Sequence, residues 1–484
     1  MSREHPALPH QASPAGLPVK DSSHSFWHTQ PSPLLIGHRS TRNLPETADV
    51  VVIGSGMTGA SVAHHLLTKN ENVDSPAGGL NVVMLEAREA CWGATGRNGG
   101  HCQPLLFETP HDASVGHFEL KNFRTLQKLI KEKEIDCEFV EQPGVRAIYS
   151  QHHLDEAQEA LGIMEQSAPD LRKMMKLVTD KKELAKYRIP TATGAVVTSI
   201  AARMWPYKFV SRILEDLLTS TDLHGTFNLQ TLTPALSITP HTNNHWTVST
   251  ERGSITTDKV VLATNAYTSH LLPNFADLIV PCRGQMSALH PLPSVHDSNR
   301  LQTSFGFLGD GMDDYLVQRP TDRGGHLMFG GGRQHGESIG VTDDSVVDAQ
   351  TAQYLRSRLV SAFDLPEGRV DEKLEFKAAN EWSGIMGYSR DEQPWVGPVP
   401  DHDGVFVAAG YTGHGMPNTW LCGKAIAVMV LLCEDNTCSE DLVAKAGGIV
   451  GLPVVYEIGK ERIERALKGE GVKEKDWAEM RREG

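Results

Sequence analysis

The sequence contains no apolar run long enough to cross a membrane. Its longest uninterrupted apolar stretch extends from Ala425 to Cys433, whereas a transmembrane helix needs about 20 residues. No apolar stretch near Met1 resembles a secretory signal, and the C-terminal Arg-Arg-Glu-Gly matches no peroxisomal or retention signal. We therefore expect a cytoplasmic protein without membrane partners.

Cysteine and basic residues are also scarce. The seven cysteines among 484 residues form no CxxC pair, which predicts reduced thiols and no metal site. The 46 Lys and Arg residues are outnumbered by 60 Asp and Glu residues, and the net charge of −14 argues against a nucleic-acid partner.

Glycine, by contrast, is abundant and clustered. The chain has 44 glycines in 484 residues, a share above the average of about 7%. Clustered glycines are typical of places where the backbone turns through positive φ or approaches a ligand closely. The clusters therefore indicate where a binding site lies.

Short apolar strands alternate with helices through most of the chain. Strands are predicted at 48–53, 81–86 and 405–409, and helices follow the first and the last of them. Residues 1–45 are rich in proline, serine and histidine and lack the apolar pattern of a core segment, which predicts an extended arm on the surface. The charge-rich residues from Tyr456 onward predict a solvated helix.

The first glycine cluster follows a strand and opens a helix. Residues 51–59 read Val-Val-Ile-Gly-Ser-Gly-Met-Thr-Gly, a G-x-G-x-x-G motif. In such a motif Gly54 makes the tight turn, Gly56 lets the backbone approach a pyrophosphate, and Gly59 lets the helix pack on the strand. The next strand ends in Glu86, whose carboxylate can accept ribose hydroxyls. This pattern predicts a dinucleotide site without separating NAD from FAD.

Two more glycine-rich loops accompany the first. Residues 93–101 read Gly-Ala-Thr-Gly-Arg-Asn-Gly-Gly-His and offer backbone N–H groups and the cation Arg97 to a diphosphate or a ring system. Residues 410–416 read Gly-Tyr-Thr-Gly-His-Gly-Met between a buried strand and a helix, which predicts another helix N-terminus directed at an anion.

These loops resemble those of the D-amino-acid-oxidase-like superfamily of FAD-dependent amine and amino-acid oxidoreductases. The 93–101 loop is most similar to the branch that includes gamma-glutamylputrescine oxidoreductases and fungal homologues. The resemblance extends over most of residues 22–433 through the further segments Val260–Thr268, Pro281–Gln285, Glu381–Gly387 and Gly410–Met416.

The resemblance implies an α/β fold. A doubly wound, Rossmann-like FAD-binding domain of the glutathione-reductase type is expected to be interleaved with an α+β substrate domain that contains an antiparallel sheet. The implied division has an arm at 1–45, FAD-binding segments at 46–110, 190–272 and 378–450, substrate segments at 111–189 and 273–377, and a charged helical tail at 451–484.

FAD is the cofactor that the resemblance implies. The residues expected to hold it are Gly54, Ser55, Gly56, Met57, Thr58, Gly59, Glu86, Ala87, Arg88, Gly93, Ala94, Thr95, Arg97, Asn98, Gly99, Gly100, Asn265, Gly384, Gly413, His414, Gly415 and Met416. The cysteine that tethers flavin in some relatives would fall near Gly384, where this chain has no sulfur, so noncovalent FAD is expected.

His414, His101 and Arg283 are the expected catalytic residues. In the family, the loop that holds His414 faces the pyrimidine side of the flavin, where a positive group would stabilise the reduced ring. His101 follows the second glycine loop. Arg283 belongs to the segment that resembles the P-x-R-G-Q sequence of the family.

One departure from the family concerns substrate binding. Amino-acid oxidases of the superfamily often carry an arginine in the loop that matches Trp382–Gly387, where it pairs with the substrate carboxylate. This chain has Ile385-Met386 there, which favours an amine, a modified amino acid or a larger metabolite. Arg283, Arg319 or Arg390 could replace that arginine from another direction.

The implied reaction is oxidation of a C–N bond in a small amine-containing substrate. Hydride passes from the carbon beside a neutral amine nitrogen to flavin N5 and leaves an imine. The electron acceptor, oxygen or another carrier, stays open, as does the oligomeric state. Two alternatives remain: a flavin-dependent oxidase or cyclase of a specialised metabolite, and a noncatalytic flavin-binding protein.

Overall fold

The structure is a computed structural model that describes residues 12–69, 73, 76, 78–309, 311–371, 373–433 and 440–469. Its strands are β1 (Thr47–Ile53), β2 (Leu80–Leu85), β3 (His101–Cys102), β4 (Val140–Ile148), β5 (Met175–Val178), β6 (Gly194–Arg203), β7 (Gly225–Gln230), β8 (Ser237–Pro240), β9 (Trp246–Thr250), β10 (Gly253–Leu262), β11 (Ile279–Leu289), β12 (Ser304–Gly309), β13 (Met312–Gln318), β14 (Leu327–Gly331), β15 (Ala378–Ser389), β16 (Trp395–Pro398) and β17 (Val405–Ala409).

Helices connect and cover these strands. They are α1 (Met57–Leu67), α2 (Ala113–Glu132), α3 (Gln151–Ser167), α4 (Pro169–Arg172), α5 (Lys181–Lys186), α6 (Pro206–Thr219), α7 (Thr268–Leu271), α8 (Ala349–Ala362), α9 (Pro366–Val370), α10 (Thr419–Leu432), α11 (Glu440–Val450) and α12 (Lys460–Leu467). Within the described residues, none of them is both long enough and apolar enough to span a bilayer.

The first sheet has a parallel centre. Its strands follow the order β16-β17-β10-β1-β2-β7, with β9 and β8 added beside β10. Strands β17, β10, β1, β2 and β7 run parallel to one another. In β1 the consecutive Val50, Val51 and Val52 are all buried, as is usual for a central parallel strand that is covered on both faces. Helix α1 packs against α10 and α6 beside this sheet. The predicted Rossmann-like architecture is confirmed.

The second sheet is almost entirely antiparallel. Its order is β15-β11-β14-β13-β12-β4-β6-β3, with β5 beside β6. Among the described residues, β12 and β4 are the one pair of neighbouring strands in this sheet that run parallel. The predicted antiparallel sheet of the substrate domain is therefore present, and the chain crosses between the two sheets several times.

Three strands belong to a different sheet from the one that the predicted segments suggest. Strand β3 lies within 46–110, β6 within 190–272 and β15 within 378–450, all predicted as FAD-binding segments. In the second sheet β3 pairs with β6, β6 pairs with β4, and β15 pairs with β11. A strand's own pattern does not reveal which of two sheets it joins, because its partners are distant in sequence. The division into domain segments itself stays a prediction.

Most described residues of the N-terminal arm are exposed, but a few of its side chains are buried and anchor it. Its first eleven residues fall outside the described residues, but Phe26, Trp27 and Leu35 are buried in the main core. The indole Nε1 of Trp205 donates to the carbonyl of Trp27 at 2.9 Å. The arm's average composition hid this short apolar cluster, whose burial is favourable enough to anchor the chain.

The C-terminal tail is also more than a solvated helix. Residues 470–484 lie outside the described residues. The earlier part of the tail contains helix α12, so a helix is present, as predicted. Within it Arg462 is buried, donates to both Asp391 carboxylate oxygens at 2.7 and 3.0 Å, and lies over the Trp395 ring. The tail is thus fixed to the first sheet through one buried arginine.

Candidate active site

The carboxyl ends of the central parallel strands meet at one cavity. The loops that follow β1, β2, β10 and β17 line it on one side, and the second sheet lines it on the other. Its volume is about 330 Å³. Ligands of open α/β sheets bind at this edge, where loops from neighbouring strands diverge.

The first glycine loop can accept no side chain at two of its positions. Gly54 has φ of +106°, and a Cβ atom there would lie 2.5 Å from the carbonyl oxygen of Ala263. A Cβ atom on Gly59 would lie 1.9 Å from the carbonyl oxygen of Gly54. Gly56 is the N-cap of α1, so the helix N-terminus opens directly onto the cavity.

Glu86 closes the first loop from the end of β2. Its Oε2 accepts hydrogen bonds from the Ser55 backbone N–H at 3.1 Å and from the Ser55 hydroxyl at 2.6 Å. Its Oε1 accepts from the Arg88 backbone N–H at 2.9 Å. The carboxylate therefore lines the cavity in a fixed orientation, and each of its oxygens retains acceptor capacity for a ribose hydroxyl.

The second glycine loop is held by a buried ionic cluster. Arg88 donates to both carboxylate oxygens of Asp344 at 2.9 and 3.0 Å, and Arg97 lies 3.3 Å from the same carboxylate. Arg97 also donates to the carbonyls of Ser383 at 2.7 Å and Ser23 at 2.8 Å. Burial lowers the pKa of Arg97 to about 10 against the opposing effect of Asp344.

Arg88 and Arg97 are held by other parts of the protein. Both border the cavity, but their guanidinium groups bind protein groups of the arm, of the second loop and of strand β15. They act on the site by fixing the loop. The partner Asp344 is distant in sequence, and no local pattern indicated it.

The third glycine loop is fastened by helix α2. The Nε2 atom of His414 lies 2.8 Å from Oε1 of the buried Glu119. Glu119 also accepts from the Leu105 backbone N–H at 2.7 Å and from the Asn418 amide at 3.0 Å. Burial would raise the pKa of Glu119, but the His414 charge and these hydrogen bonds lower it overall, so the carboxylate is ionised.

Asn265 joins two further parts of the site. Its side-chain Oδ1 accepts from the Gly410 backbone N–H at 3.0 Å, and its φ is +46°, in the left-handed region. A Cβ atom on Gly387 would approach that Oδ1 to 2.7 Å. Asn265 therefore aligns the third glycine loop with the end of β15.

One face of the second sheet is turned toward the cavity. Arg146, Gly306, Tyr315, Gly330 and Met286 occupy paired positions on β4, β12, β13, β14 and β11, so they share one face. The Tyr315 hydroxyl accepts from the Gly99 backbone N–H at 3.0 Å. Tyr315 therefore connects the sheet to the second glycine loop.

His101 lies beside Tyr315 at this end of the cavity. Its ring is stacked near that of Tyr315, with centroids 6.2 Å apart. Burial lowers its pKa to about 3, and the charges of His414 and Arg146 act in the same direction. His101 is therefore a neutral ring at ordinary pH, and its buried Nε2 has no hydrogen-bond partner among the described residues.

Most of the residues predicted to form the site are brought together. Those that line the cavity are Gly54, Ser55, Gly56, Met57, Thr58, Glu86, Ala87, Arg88, Gly93, Ala94, Thr95, Arg97, Asn98, Gly99, His101, Asn265, Gly384, Gly413, His414, Gly415 and Met416. Gly59 and Gly100 lie behind the loops, where their missing side chains permit close packing.

The arginines proposed from the sequence for the substrate carboxylate lie elsewhere. Arg283 is outside the cavity lining and donates to the Asp343 carbonyl at 3.3 Å. Arg319 pairs with Glu138 at 2.7 Å. Arg390 is engaged by Asp277.

Arg146 and Arg333 line the cavity instead, and sequence reasoning missed both of them. For Arg146 a signal existed, since a charged residue interrupts the apolar run Val145–Ile148 of a strand. Glu119 and Asp344 had no comparable local signal. Their partners come from other parts of the chain.

The residues present fit an FAD molecule. The side-chain-free turn at Gly54 and Gly56 admits a diphosphate to the N-terminus of α1, and Glu86 stands where a ribose would lie. The cavity then continues past the second and third glycine loops to Tyr315 on the second sheet. This length and donor set suit a dinucleotide with a ring system at its far end.

Comparison with known proteins decides the family. A family model described as FAD dependent oxidoreductase (DAO) matches residues 49–429. The chain belongs to the FAD-dependent oxidoreductase family. FAD is therefore its cofactor, and the protein is an oxidoreductase, as the resemblance of its glycine loops implied.

Individual members of the family show how far the similarity extends. Gamma-glutamylputrescine oxidoreductase of Escherichia coli is 24% identical over 413 residues, which cover 81% of this chain and 85% of that protein. Glycine oxidase of Pseudomonas aeruginosa is 25% identical over 376 residues, or 76% of this chain and 90% of that protein.

A solved structure confirms the fold. Glycine oxidase from Geobacillus kaustophilus superposes with a TM-score of 0.62 at 20% identity, covering 78% of this chain and 93% of that one. At this identity the likeness establishes the architecture of two interleaved parts, and the substrate has to be argued from the cavity itself.

Proposed function

We propose that this FAD-dependent oxidoreductase oxidises a C–N bond of an amine or a modified amino acid to an imine. The observation that carries the proposal is the single cavity that joins a dinucleotide cradle to the face of an antiparallel sheet. The similar proteins named above act on a putrescine derivative and on glycine, which supports an amine-bearing substrate.

The glycine loops and Glu86 hold the cofactor in this proposal. Backbone N–H groups at the start of α1 bind the diphosphate, and Glu86 binds a ribose. Bound FAD supplies the acceptor for the hydride that leaves the substrate carbon. His414, kept beside the ionised Glu119, adds a positive group to the loop that ends at α10.

The sheet side of the cavity orients the substrate. Tyr315 and Met286 form an apolar surface whose hydroxyl and sulfur are already joined by a 3.0 Å contact. His101 is neutral and buried, so the site does not depend on its titration near neutral pH. A substrate amine has to enter in its neutral form, because only a nitrogen with a free lone pair assists hydride departure from the adjacent carbon.

We propose noncovalent attachment of FAD. None of the cysteines in the described part of the chain lines the cavity, and Gly384 occupies the position that matches the tethering cysteine of some relatives. Acid precipitation distinguishes the two cases, since noncovalent FAD stays in the supernatant and a tethered flavin colours the pellet.

The cytoplasm is the compartment we propose. Five of the described cysteines, Cys91, Cys102, Cys137, Cys282 and Cys422, are buried thiols outside any disulfide, a usage typical of reducing compartments. The electron acceptor in this proposal is oxygen or another carrier.

A second candidate is an oxidase or cyclase of a specialised metabolite. Ile385 and Met386 line the cavity where many relatives have a carboxylate-binding arginine, so a bulkier apolar substrate could contact them. Capture of the imine by a second group of the same molecule would then give a ring, which mass spectrometry separates from a hydrolysed carbonyl product.

An anaerobic screen tests the proposal. Purified protein is mixed with amines and amino acids without oxygen, the flavin absorbance is followed, and air is then admitted. The proposal requires that at least one amine bleaches the flavin and yields an imine or its hydrolysis product. A flavin that no amine reduces would instead indicate a noncatalytic flavin-binding protein, and the recovery on admitting air reports the acceptor.

A further inference from the structure

Several buried arginines in the described part of the chain are fully engaged. Arg88 donates to Asp344 and to the Trp92 carbonyl, and Arg462 donates to Asp391 and to three backbone carbonyls. Arg319 makes a two-point contact with the Glu138 carboxylate at 3.1 and 2.7 Å. These side chains connect elements of the fold, and their N–H groups are satisfied by protein acceptors.

Arg146 faces the cavity with fewer partners. Its side chain is only 9% exposed, yet its guanidinium makes no hydrogen bond to any described residue, and its Nε is a buried donor without a partner. Its Nη2 forms an ion pair with Oε1 of Glu108 at 3.6 Å, a separation too long for a hydrogen bond. Buried donors without acceptors are costly, and a ligand that brings acceptors removes that cost.

The sheet directs Arg146 toward the place where substrate lies. Arg146 is paired with Gly306, and Gly306 with Tyr315, so the three share the cavity face. The atom nearest to a Cβ built on Gly306 is Nη1 of Arg146, at 3.7 Å. The guanidinium therefore extends across the glycine toward Tyr315, and all three residues line the cavity.

His101 adds a second unpartnered polar atom at this end. Its Nε2 is buried without a hydrogen-bond partner in the described structure, and its ring lies beside Tyr315. The charged groups around it are Arg146 and His414, both of which oppose its protonation. A neutral imidazole and an unbonded guanidinium thus border the same space.

We propose that Arg146, with His101 beside it, binds a carboxylate of the substrate. The inference rests on the proposed function and narrows its substrate class to amines that carry a carboxylate. A guanidinium fork suits the two oxygens of a carboxylate. Glu108, 3.6 Å away, disfavours a group of higher negative charge such as a phosphate.

This assignment places carboxylate recognition on strand β4 of the second sheet, away from residues 382–387, which lie in strand β15 and not in a loop. It accounts for Ile385 and Met386 on that strand without abandoning an amino-acid-like substrate. Arg333 also lines the cavity and has a buried Nη1 without a hydrogen-bond partner, but it donates to Asp313 at 3.3 Å and lies over the Tyr388 ring, so it is more firmly held than Arg146.

The first test uses the unmodified holoenzyme. Each straight-chain ω-amino acid of a homologous series is compared with its amide and with the matching alkylamine in anaerobic flavin reduction. We expect at least one acid to reduce the flavin with a second-order rate constant about 10- to 100-fold above those of both uncharged partners, the factor for hydrogen bonds to a charged group. Equal efficiency of acid, amide and alkylamine would overturn the assignment.

The second test uses variants and a readout that needs no turnover. Acetate and succinate are titrated into the oxidised holoenzyme, and inorganic phosphate is titrated in parallel, while the flavin absorption spectrum is followed. We expect Arg146→Met to weaken the carboxylate-induced change about 10- to 100-fold, and Arg146→Lys to retain part of it. Phosphate binding as tight as acetate binding would contradict the charge argument at Glu108.

A matched control isolates the role of Arg146. Arg124 is a half-exposed arginine that pairs with Glu141 on the same strand β4, and Arg124→Met should leave the titration unchanged. The same loss in both variants would contradict the assignment. If no amine reduces the flavin at all, the proposed function fails, whereas the carboxylate titration still tests whether Arg146 binds a carboxylate. If Arg146→Met does not fold, the comparison of acid with amide in the unmodified protein tests whether the site prefers a carboxylate.

Discussion

The Nε2 atom of His414 lies 2.8 Å from the Oε1 atom of Glu119, and this contact joins helix α2 to the third glycine loop. Glu119 is buried and also accepts hydrogen bonds from Leu105 and Asn418. One carboxylate therefore fixes the start of α10 and the segment that follows β3. The loop geometry at the cofactor depends on a residue outside all three glycine clusters.

Replacing this carboxylate should destabilise the protein in a pH-dependent way. We expect Glu119→Gln to lower the free energy of unfolding by about 3 kcal/mol near neutral pH, because it leaves His414 beside an uncharged partner. The pKa of Glu119 is lowered in the folded state despite its burial, so its stabilising effect is complete above about pH 4.3 and is lost as pH falls through the folded pKa.

Chemical denaturation at several pH values measures this difference. The exposed Glu132 on the same helix, which pairs with Lys128, supplies the control variant Glu132→Gln. Its effect should stay below about 1 kcal/mol. Equal stability of Glu119→Gln and Glu132→Gln at neutral pH would contradict the proposed role of Glu119.

The first glycine loop gives a second prediction. A Cβ atom on Gly59 would lie 1.9 Å from the Gly54 carbonyl oxygen, so Gly59→Ala has to move backbone at the turn. We expect the purified variant to retain much less flavin, measured as the ratio of flavin to protein absorbance. Gly162→Ala, in helix α3 with open space around the new methyl group, should keep full flavin content. Normal flavin content in Gly59→Ala would refute this account of the turn.

The buried ionic cluster of Arg88, Arg97 and Asp344 gives a third prediction. Asp344 neutralises Arg88 and Arg97, and Asp344→Asn would leave two buried guanidinium groups without their shared carboxylate. We expect a loss of about 3–5 kcal/mol in unfolding free energy and a weaker hold on the second glycine loop. Asp401→Asn removes an exposed partner of Lys460 and should cost less than about 1 kcal/mol. A small effect at Asp344 would show that the cluster does not hold the loop.

Buried histidines should make the protein sensitive to mild acid. Burial is the main cause that lowers the pKa of His101 to about 3 and that of His64 to about 4. Unfolding lets each bind a proton near pH 6.5, so the free energy of unfolding falls as pH drops below about 6.5, by up to about 1.4 kcal/mol per pH unit for each histidine.

Denaturation midpoints measured across this range test that slope. His64→Gln removes one titrating group at the contact with Trp420 and should flatten the decline. An unfolding free energy that stays constant between about pH 6.5 and pH 4.5 would contradict the burial of neutral histidines.

Some of the site could be predicted from the sequence because its determinants are local. Gly54, Gly56 and Gly59 form a turn whose requirements lie within six residues, and Glu86 is recognisable as the end of the next apolar strand. The fold class was implied by the family resemblance that the glycine loops carry. Such features need no knowledge of distant partners.

The remaining features depend on contacts between distant segments. Asp344 reaches Arg88 and Arg97, and Trp27 of the arm reaches Trp205, only after the two sheets have assembled. Arg146 is set on the cavity face by its register with Gly306. A one-residue shift of that strand would turn the side chain to the opposite face, and sequence alone does not fix such a register.

The most direct test of the central claim is a single anaerobic turnover. Purified protein is mixed with a reducing amine in the absence of oxygen, and the carbonyl product is quantified against the flavin that bleaches. The account predicts FAD, identified after denaturation, and one product molecule per flavin reduced. Protein that carries no flavin and cannot be reconstituted with FAD, or flavin that stays oxidised with every amine, would contradict it.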